Sequence, residues 1–341
     1  MSDSKILIIY TGGTIGMIKN EKTNALEPFN YENLLVHIPQ LKKFPNIDSY
    51  SFEIPIDSSD ANTDFWIKLV QIISINYEKY DGFIILHGSD TMAYTASALS
   101  FMLENLSKPV ILTGSQLPIC DLRTDGRENI IAAIELASYR ENNKPIISEV
   151  CVYFKNKLFR GCRTSKYSAE DFDAFISPNY PELANVGINV CVHNNRIFHS
   201  QNKKLIPHFE FCNEIAVLKM FPGIQSKTIN AVINIPNLKG LIIETYGSGN
   251  ATTNLEIVNT LQQGISKGIV IVNITQCTVG SVDQNKYEAG KNLDRIGIIS
   301  GMDMTTEAAV TKLMYLLGQN LSYKKITKLL SQSLRGELTE K

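Results

Sequence analysis

Small hydroxyl residues beside glycines or acidic residues recur at three places in the first hundred positions: Thr11-Gly12-Gly13-Thr14-Ile15-Gly16, Ser58-Ser59 and Gly88-Ser89-Asp90. Glycine permits a tight turn and close approach of the backbone to a ligand. Backbone N–H groups exposed in such turns can hold an anion or a developing oxyanion. Each run alone also reads as an ordinary turn, since Gly, Ser, Thr and Asp all belong there; together they point to one shared polar pocket. A phosphate site has weak support, because the first run has neither the P-loop nor the dinucleotide-binding glycine spacing and Lys19 comes too late. The competing chemistry is attack on a carbonyl by Thr14 or Ser89, and a hydroxyl then needs a base. His87 and Asp90 flank Ser89, but sequence neighbours rarely converge as a triad, so His87 is expected to be a structural residue at a strand end. Lys166, in Arg163-Thr164-Ser165-Lys166, serves as a base only if buried beside a hydroxyl and a carboxylate. Composition and spacing leave that choice open.

The elements that must position these residues follow from periodicity. Lys5 to Tyr10, Gly82 to Leu86 and Pro109 to Leu112 are short apolar runs, each ending in one of the polar turns or in Thr113-Gly114-Ser115-Gln116. Ser51 to Ile56 resembles a further strand. The segment 62–77 has helical length and spacing, and Met92, Ala96, Leu99, Leu103 and Leu106 repeat at helical period after Asp90, a good N-cap. Strands alternating with helices predict an α/β fold: a large N-terminal domain with a mostly parallel sheet flanked by helices. Ligands of such sheets bind beyond the carboxyl ends of the strands. A polar, basic stretch after about residue 193 reads as a linker. The rhythm restarts at Glu214 to Met220, Gly240 to Glu244 and Gly268 to Asn273, with a helical segment over 252–263. Two closing helices carry Ala309, Leu313, Leu316 and Leu317, then Ile326, Leu329 and Leu330. The expected organisation is therefore 1–193 as the catalytic domain, 194–214 as linker, and 215–341 as a smaller α/β C-terminal domain.

Composition narrows the partners. The 341 residues carry 33 Lys and Arg against 34 Asp and Glu, a formal charge of -1 that argues against a nucleic-acid surface. No apolar run approaches the roughly 18 residues of a membrane span, and Met1 to Gly13 reads as a first strand rather than a secretion signal. Cys120, Cys151, Cys162, Cys191, Cys212 and Cys277 are dispersed without CxxC spacing, which fits free thiols in a reducing cytoplasm. No histidine or cysteine spacing calls for a metal.

Tyr10-Thr11-Gly12-Gly13-Thr14-Ile15-Gly16 and Leu86-His87-Gly88-Ser89-Asp90-Thr91-Met92 resemble the two signature segments of the L-asparaginases. Ala93 to Asn105 and Thr113 to Gln116 resemble the cytoplasmic, bacterial type I branch. The likeness continues through Arg160 to Lys166, Asp173 to Phe175, Tyr246 to Asn250, Thr275 to Cys277 and Ser333 to Leu338, nearly the whole chain. It implies hydrolysis of L-asparagine to L-aspartate and ammonia, without metal or organic cofactor, by a cytoplasmic homotetramer built as a dimer of dimers. By that resemblance Thr14 is the nucleophile, and Ser89, Asp90 and Lys166 form a second polar set. Asp90 also holds the substrate's α-amino group, and Ser58 and Ser59 bind its α-carboxylate. Ser115 lies near the amide, and Asn250 reaches the neighbouring subunit's site.

Three departures stand out. Ser89 replaces a usual threonine, keeping the hydroxyl and losing rotamer control. The loop Thr23 to Pro28 lacks the tyrosine some members place there, a role that passes to Tyr287. Glu244 stands where a substrate-regulated enterobacterial member has an arginine. Readings from other classes are the amidotransferase subunit that charges glutaminyl-tRNA, which carries an extension before its first signature, and an amino-acid sensor, which would lack the nucleophile.

Overall fold

The computed structural model describes residues 4–16, 18–19, 26–27, 31–44, 46–199 and 204–340. Its first unit, Met1–Phe209, is built on an eight-stranded sheet. The strands are β1 (Ile6–Gly12), β2 (Ile47–Ile56), β3 (Gly82–Leu86), β4 (Val110–Thr113), β5 (Val150–Phe154), β6 (Lys157–Arg160), β7 (Ala184–Val186) and β8 (Val190–Val192). Their order is β8-β7-β6-β5-β4-β3-β1-β2. β2, β1, β3, β4 and β5 run parallel, and β6, β7 and β8 continue the sheet antiparallel. β1, β3, β4 and β5 are buried throughout. That is why they read as unbroken apolar runs rather than alternating ones. β2, at the edge, has mostly exposed or half-buried residues, so its polar first half, Asp48-Ser49-Tyr50, gave no strand signal and it starts four positions before the expected Ser51.

Three longer helices flank this sheet: α1 (Thr63–Asn76), α2 (Met92–Met102) and α3 (Gly126–Ala137). Asn62 caps α1 by accepting from Phe65 N–H. α2 departs from its sequence pattern at both ends. Thr91 occupies the N-cap position without a side-chain cap bond, and its hydroxyl donates instead to Ser58 O at 2.5 Å. Asp90 is drawn away from capping by an ion pair with Lys166. The helix stops at Met102, because Leu103–Glu104 turns into a strand pairing with Ile206–Pro207 and Asn105 adopts a left-handed φ of 62°. Leu103 and Leu106 are buried, but off the helix. The same pairing gives part of the polar middle stretch a fixed place, and His208 bonds Glu104 at 2.9 Å.

The second unit, Glu210–Lys341, holds a four-stranded parallel sheet in sequence order: β9 (Ile215–Lys219), β10 (Gly240–Thr245), β11 (Val270–Thr275) and β12 (Ile299–Ser300). Its own apolar core gathers Leu241, Ile243, Ile271 and Leu293 with helices Ser226–Ile233 and Leu255–Ser266. Ala309, Leu313 and Leu316 are buried on helix Thr306–Gly318, as their spacing predicts. In the Ser333 to Leu338 motif, Glu337 is wholly buried and paired with Lys312 at 2.5 Å. Among the described residues no helix is long and apolar enough to cross a membrane, and none of the six cysteines forms a disulfide.

Candidate active site

The carboxyl ends of β1, β3 and β4 meet through glycine. β1 pairs with β3 up to Tyr10 and Leu86, and β3 with β4 up to Leu86 and Thr113. The Thr11 hydroxyl donates to Leu86 O at 3.0 Å and ties the first two ends together. Gly12 and Gly13 then turn the chain with φ of 135° and 82° into a 3-10 turn, Thr14–Gly16. A Cβ on Gly13 would lie 2.5 Å from both Cα and N of Gly88, and one on Gly88 would lie 2.6 Å from Ser58 Oγ. A Cβ on Gly114 would lie 2.4 Å from His87 O. The polar turns are therefore in direct contact. Thr14 and Ser89 each follow a glycine that makes this contact, and Ser58 is buried against the second one.

Behind the Gly88 turn runs a buried hydrogen-bond chain. Trp66 Nε1 donates to Thr95 Oγ1 at 3.1 Å, Thr95 Oγ1 meets His87 Nε2 at 2.9 Å, and His87 Nδ1 meets Gly88 O at 2.6 Å. A carbonyl only accepts, so Nδ1 carries the proton and Nε2 accepts from Thr95. Burial pulls the His87 pKa down to about 4, and the ring is neutral. Both of its nitrogens are committed away from Ser89. The structural reading of His87 holds, and no Ser-His-Asp set forms.

Lys166 reaches Ser89 from elsewhere in the fold. It lies on the short strand Ser165–Lys166, paired antiparallel with Phe175–Ile176. Phe175 is fully buried, with its ring 4.9 Å from that of Phe154. Lys166 Nζ donates to Ser89 Oγ at 2.9 Å and to Asp90 Oδ1 at 2.6 Å. Its side chain is only 17% exposed against 64% for Asp90. The lysine thus has the hydroxyl and carboxylate neighbours that a proton-transferring amine requires, while much of the Asp90 carboxylate still faces solvent.

The other candidates differ in how far their polar atoms are committed. Ser59 is exposed, and both its N–H and hydroxyl donate to Asp57 Oδ1 at 2.9 Å. The Ser59 N–H, then its hydroxyl, hold the Asp57 carboxyl below its ordinary range. Ser115 is buried and donates to Leu117 O at 2.6 Å, shaping the turn after β4. Asn250 and Tyr287 belong to the second unit. Asn250 bridges to Tyr246, and its Oδ1 is buried without a hydrogen-bond partner. Tyr287 is exposed and precedes helix Glu288–Arg295. Of the loop Thr23 to Pro28, all but Leu26–Glu27 lies outside the described residues.

Sequence reasoning did not single out Gln116, whose Oε1 lies 3.3 Å from Ser89 Oγ, or Asp57. Neither belongs to a periodic pattern: the Gln116 side chain is placed by segments 27 or more positions away, and Asp57 by a local turn onto Ser59.

Two family models match the chain: one described as Asparaginase, N-terminal, over residues 5–198, and one described as Glutaminase/Asparaginase C-terminal domain, over residues 214–330. L-asparaginase 1 of Escherichia coli (strain K12) is 43% identical over 341 residues, covering 99% of each chain. The 60 kDa lysophospholipase of Mus musculus is 39% identical, covering 99% of this chain and 63% of its own length. The crystal structure of L-asparaginase I from Vibrio cholerae O1 biovar eltor str. N16961 matches with a TM-score of 0.88 and 41% identity over 99% of both chains.

Proposed function

The chain belongs to the asparaginase family, and from that premise we propose that it hydrolyses the side-chain amide of L-asparagine to L-aspartate and ammonia. The observation that carries this reading is Lys166 Nζ held between Ser89 Oγ and Asp90 Oδ1, beside the turn that presents Thr14.

An amide is unreactive, and a covalent intermediate divides its hydrolysis into two easier steps. Thr14 Oγ attacks the amide carbon, forming a C–O bond while the carbonyl π pair moves onto oxygen. The Thr14 proton passes to the Ser89–Lys166 set, with the lysine in its neutral form. Backbone N–H groups of the touching turns stabilise the oxyanion, an effect worth roughly 3–4 kcal/mol per donor. Collapse breaks the C–N bond, and the nitrogen takes up a proton and leaves as ammonia. Water then adds to the acyl-enzyme, gives up a proton to the same set, and releases aspartate with Thr14 restored.

A zwitterionic substrate needs one cation site and one anion site. The exposed side of Asp90 receives the α-ammonium. Ser58 and Ser59 receive the α-carboxylate, Ser59 by exchanging Asp57 for substrate. Ser115 frames the turn nearest the amide. Asn250 and Tyr287 complete the site from a neighbouring subunit of a homotetramer arranged as a dimer of dimers. No organic cofactor or metal enters the scheme, and the enzyme works in the cytoplasm.

Ammonia release from L-asparagine, L-glutamine and D-asparagine tests the substrate, with fatty-acid release from a lysophospholipid as a control for the activity named in the mouse relative. Thr14→Ala tests the nucleophile: turnover is expected to vanish while circular dichroism and asparagine binding stay near wild type. Wild-type-like turnover in the purified variant would overturn the assignment.

A further inference from the structure

Gln116 stands at the end of the turn after β4, and its backbone N–H and both ends of its side-chain amide have partners. Its backbone N–H donates to Asp125 Oδ1 and Oδ2 at 3.0 and 3.2 Å. Its side-chain Nε2 donates to Asp171 O at 2.9 Å and Ala169 O at 3.4 Å. Those two carbonyls can only accept, so the amide cannot be turned over, and Oε1 must face Ser89. An amide oxygen also only accepts. The Ser89 hydroxyl therefore spends its single proton on Gln116, and toward Lys166 it offers lone pairs alone.

We infer that Gln116 is a positioning residue: it aims the Ser89 proton away from Lys166, so that the serine meets the lysine only as an acceptor. This rests on the proposed roles of Ser89 and Lys166. A neutral amine with its lone pair toward Ser89 would need the serine proton turned to it, and that requires breaking the bond to Gln116. Gln116 must therefore release the Ser89 proton before the serine can pass one to Lys166.

Among the described residues the charged and titratable neighbours of Lys166 are few, and Tyr167, next to it in the chain, is exposed. Asp90 pairs with it at 2.6 Å. In the turn that follows the lysine, Asp173 pairs with Lys157 at 2.8 Å, Asp171 Oδ1 accepts from Asp173 N–H, and Glu170 is exposed. Phe175–Ile176 brings no titratable side chain, and α2 brings only Tyr94. Asp125 lies on the far side of Gln116, engaged with its backbone N–H.

Two substitutions separate this role from simple support of the turn at 169–171. Gln116→Met removes the acceptor for the Ser89 proton, and Gln116→Glu keeps an acceptor while adding negative charge. Both lose the donor to Ala169 and Asp171. The readouts are the acid limb of the kcat/KM profile and an NMR titration of the Lys166 13Cε resonance, which needs no turnover. The midpoint is expected to fall by about half to one pH unit in Gln116→Met, the equivalent of one neutral hydrogen bond, and to rise in Gln116→Glu. Unchanged midpoints, or shifts of the same sign in both variants, would overturn the role of Gln116. Failure of the underlying reading shows separately, as a Lys166→Met enzyme whose kcat stays within tenfold of wild type.

Discussion

Gly13 and Gly88 touch backbone to backbone, so closely that a methyl on Gly13 would fall 2.5 Å from both Cα and N of Gly88. The contact joins the turn that carries Thr14 to the turn that carries Ser89 and Asp90. Neither turn could approach the other if a side chain stood between them. The glycines fix the spacing of the chemistry although they bring no side chain to it.

Substitution at the two positions is expected to have graded effects. An alanine at Gly88 meets Ser58, with Cβ 2.6 Å from its Oγ and 2.8 Å from its Cβ, so the serine must move. Overpacking of this kind costs about 1–3 kcal/mol, and a displaced Ser58 raises KM for asparagine. Gly13→Ala is worse, because the obstacle is backbone and φ is 82°. Thermal melts and asparagine kinetics on both variants check the ranking. A Gly88→Ala enzyme with wild-type KM would separate Ser58 from substrate binding.

Lys166→Met should lower kcat by about 10²–10⁴-fold, the range for a lost proton-transfer group, with KM changed only a few-fold. Lys166→Arg should not restore activity, since a guanidinium does not give up its proton. Steady-state kinetics on the pair decide the point. Recovery by arginine would mean that positive charge, rather than a proton shuttle, is what the position supplies.

The strands that aim these residues were legible because they are buried on both faces. Gly82–Leu86 runs between the bounds its apolar residues mark, and β1 and β4 differ from expectation by one or two residues at an end. Legibility failed where a long-range partner decides local structure. Leu103 keeps helical period, yet its backbone pairs with Pro207. The antiparallel strands β6, β7 and β8 have no clean alternation, and neither they nor the apolar β5 were foreseen. Within the proposed site, Thr14, Ser58, Ser89 and Asp90 announced themselves by residue type at strand ends. Lys166 did not, because a lone lysine signals nothing until the fold brings it 77 positions back to Ser89. Gln116 was visible only as part of a turn.

His87 gives the fold a specific acid sensitivity. Its pKa is about 4 when folded, lowered by burial, and near 6.5 when unfolded. Between those values the unfolded chain binds a proton that the native chain does not, so stability falls as pH falls, by up to about 1.4 kcal/mol per pH unit. The contribution is whole above about pH 6.5 and lost by pH 4. His87→Gln can keep a donor toward Gly88 O and an acceptor toward Thr95 without titrating. Urea melts from pH 7 to 4.5 should show the stability advantage of wild type over this variant shrinking with pH. A constant difference would remove His87 from the pH dependence.

Asparagine saturation is expected to show little or no positive cooperativity. Cooperativity needs a second site whose ligand prefers the active state. In the substrate-regulated member that the sequence resembles, an arginine helps form that site, and Glu244 takes its place here. Glu244 is the next-to-last residue of β10, where its Oε1 accepts from the Thr306 hydroxyl at 2.8 Å. A carboxylate about 4 Å from an effector's carboxylate is unfavourable by roughly 4 kcal/mol at an effective dielectric of 20. That exceeds the coupling of about 1–3 kcal/mol typical of allostery. Neither Lys239 nor Lys267 is placed to reverse the charge. Lys239 precedes the opposite end of the same strand, and Lys267 bonds Asn234. Lys219, the register neighbour of Glu244 on β9, offsets part of the repulsion without supplying the planar donor fork of an arginine. A saturation curve on the purified protein should therefore give a Hill coefficient near one, and Glu244→Arg should be able to raise it. A wild-type coefficient clearly above about two would show that an effector pocket survives by another route.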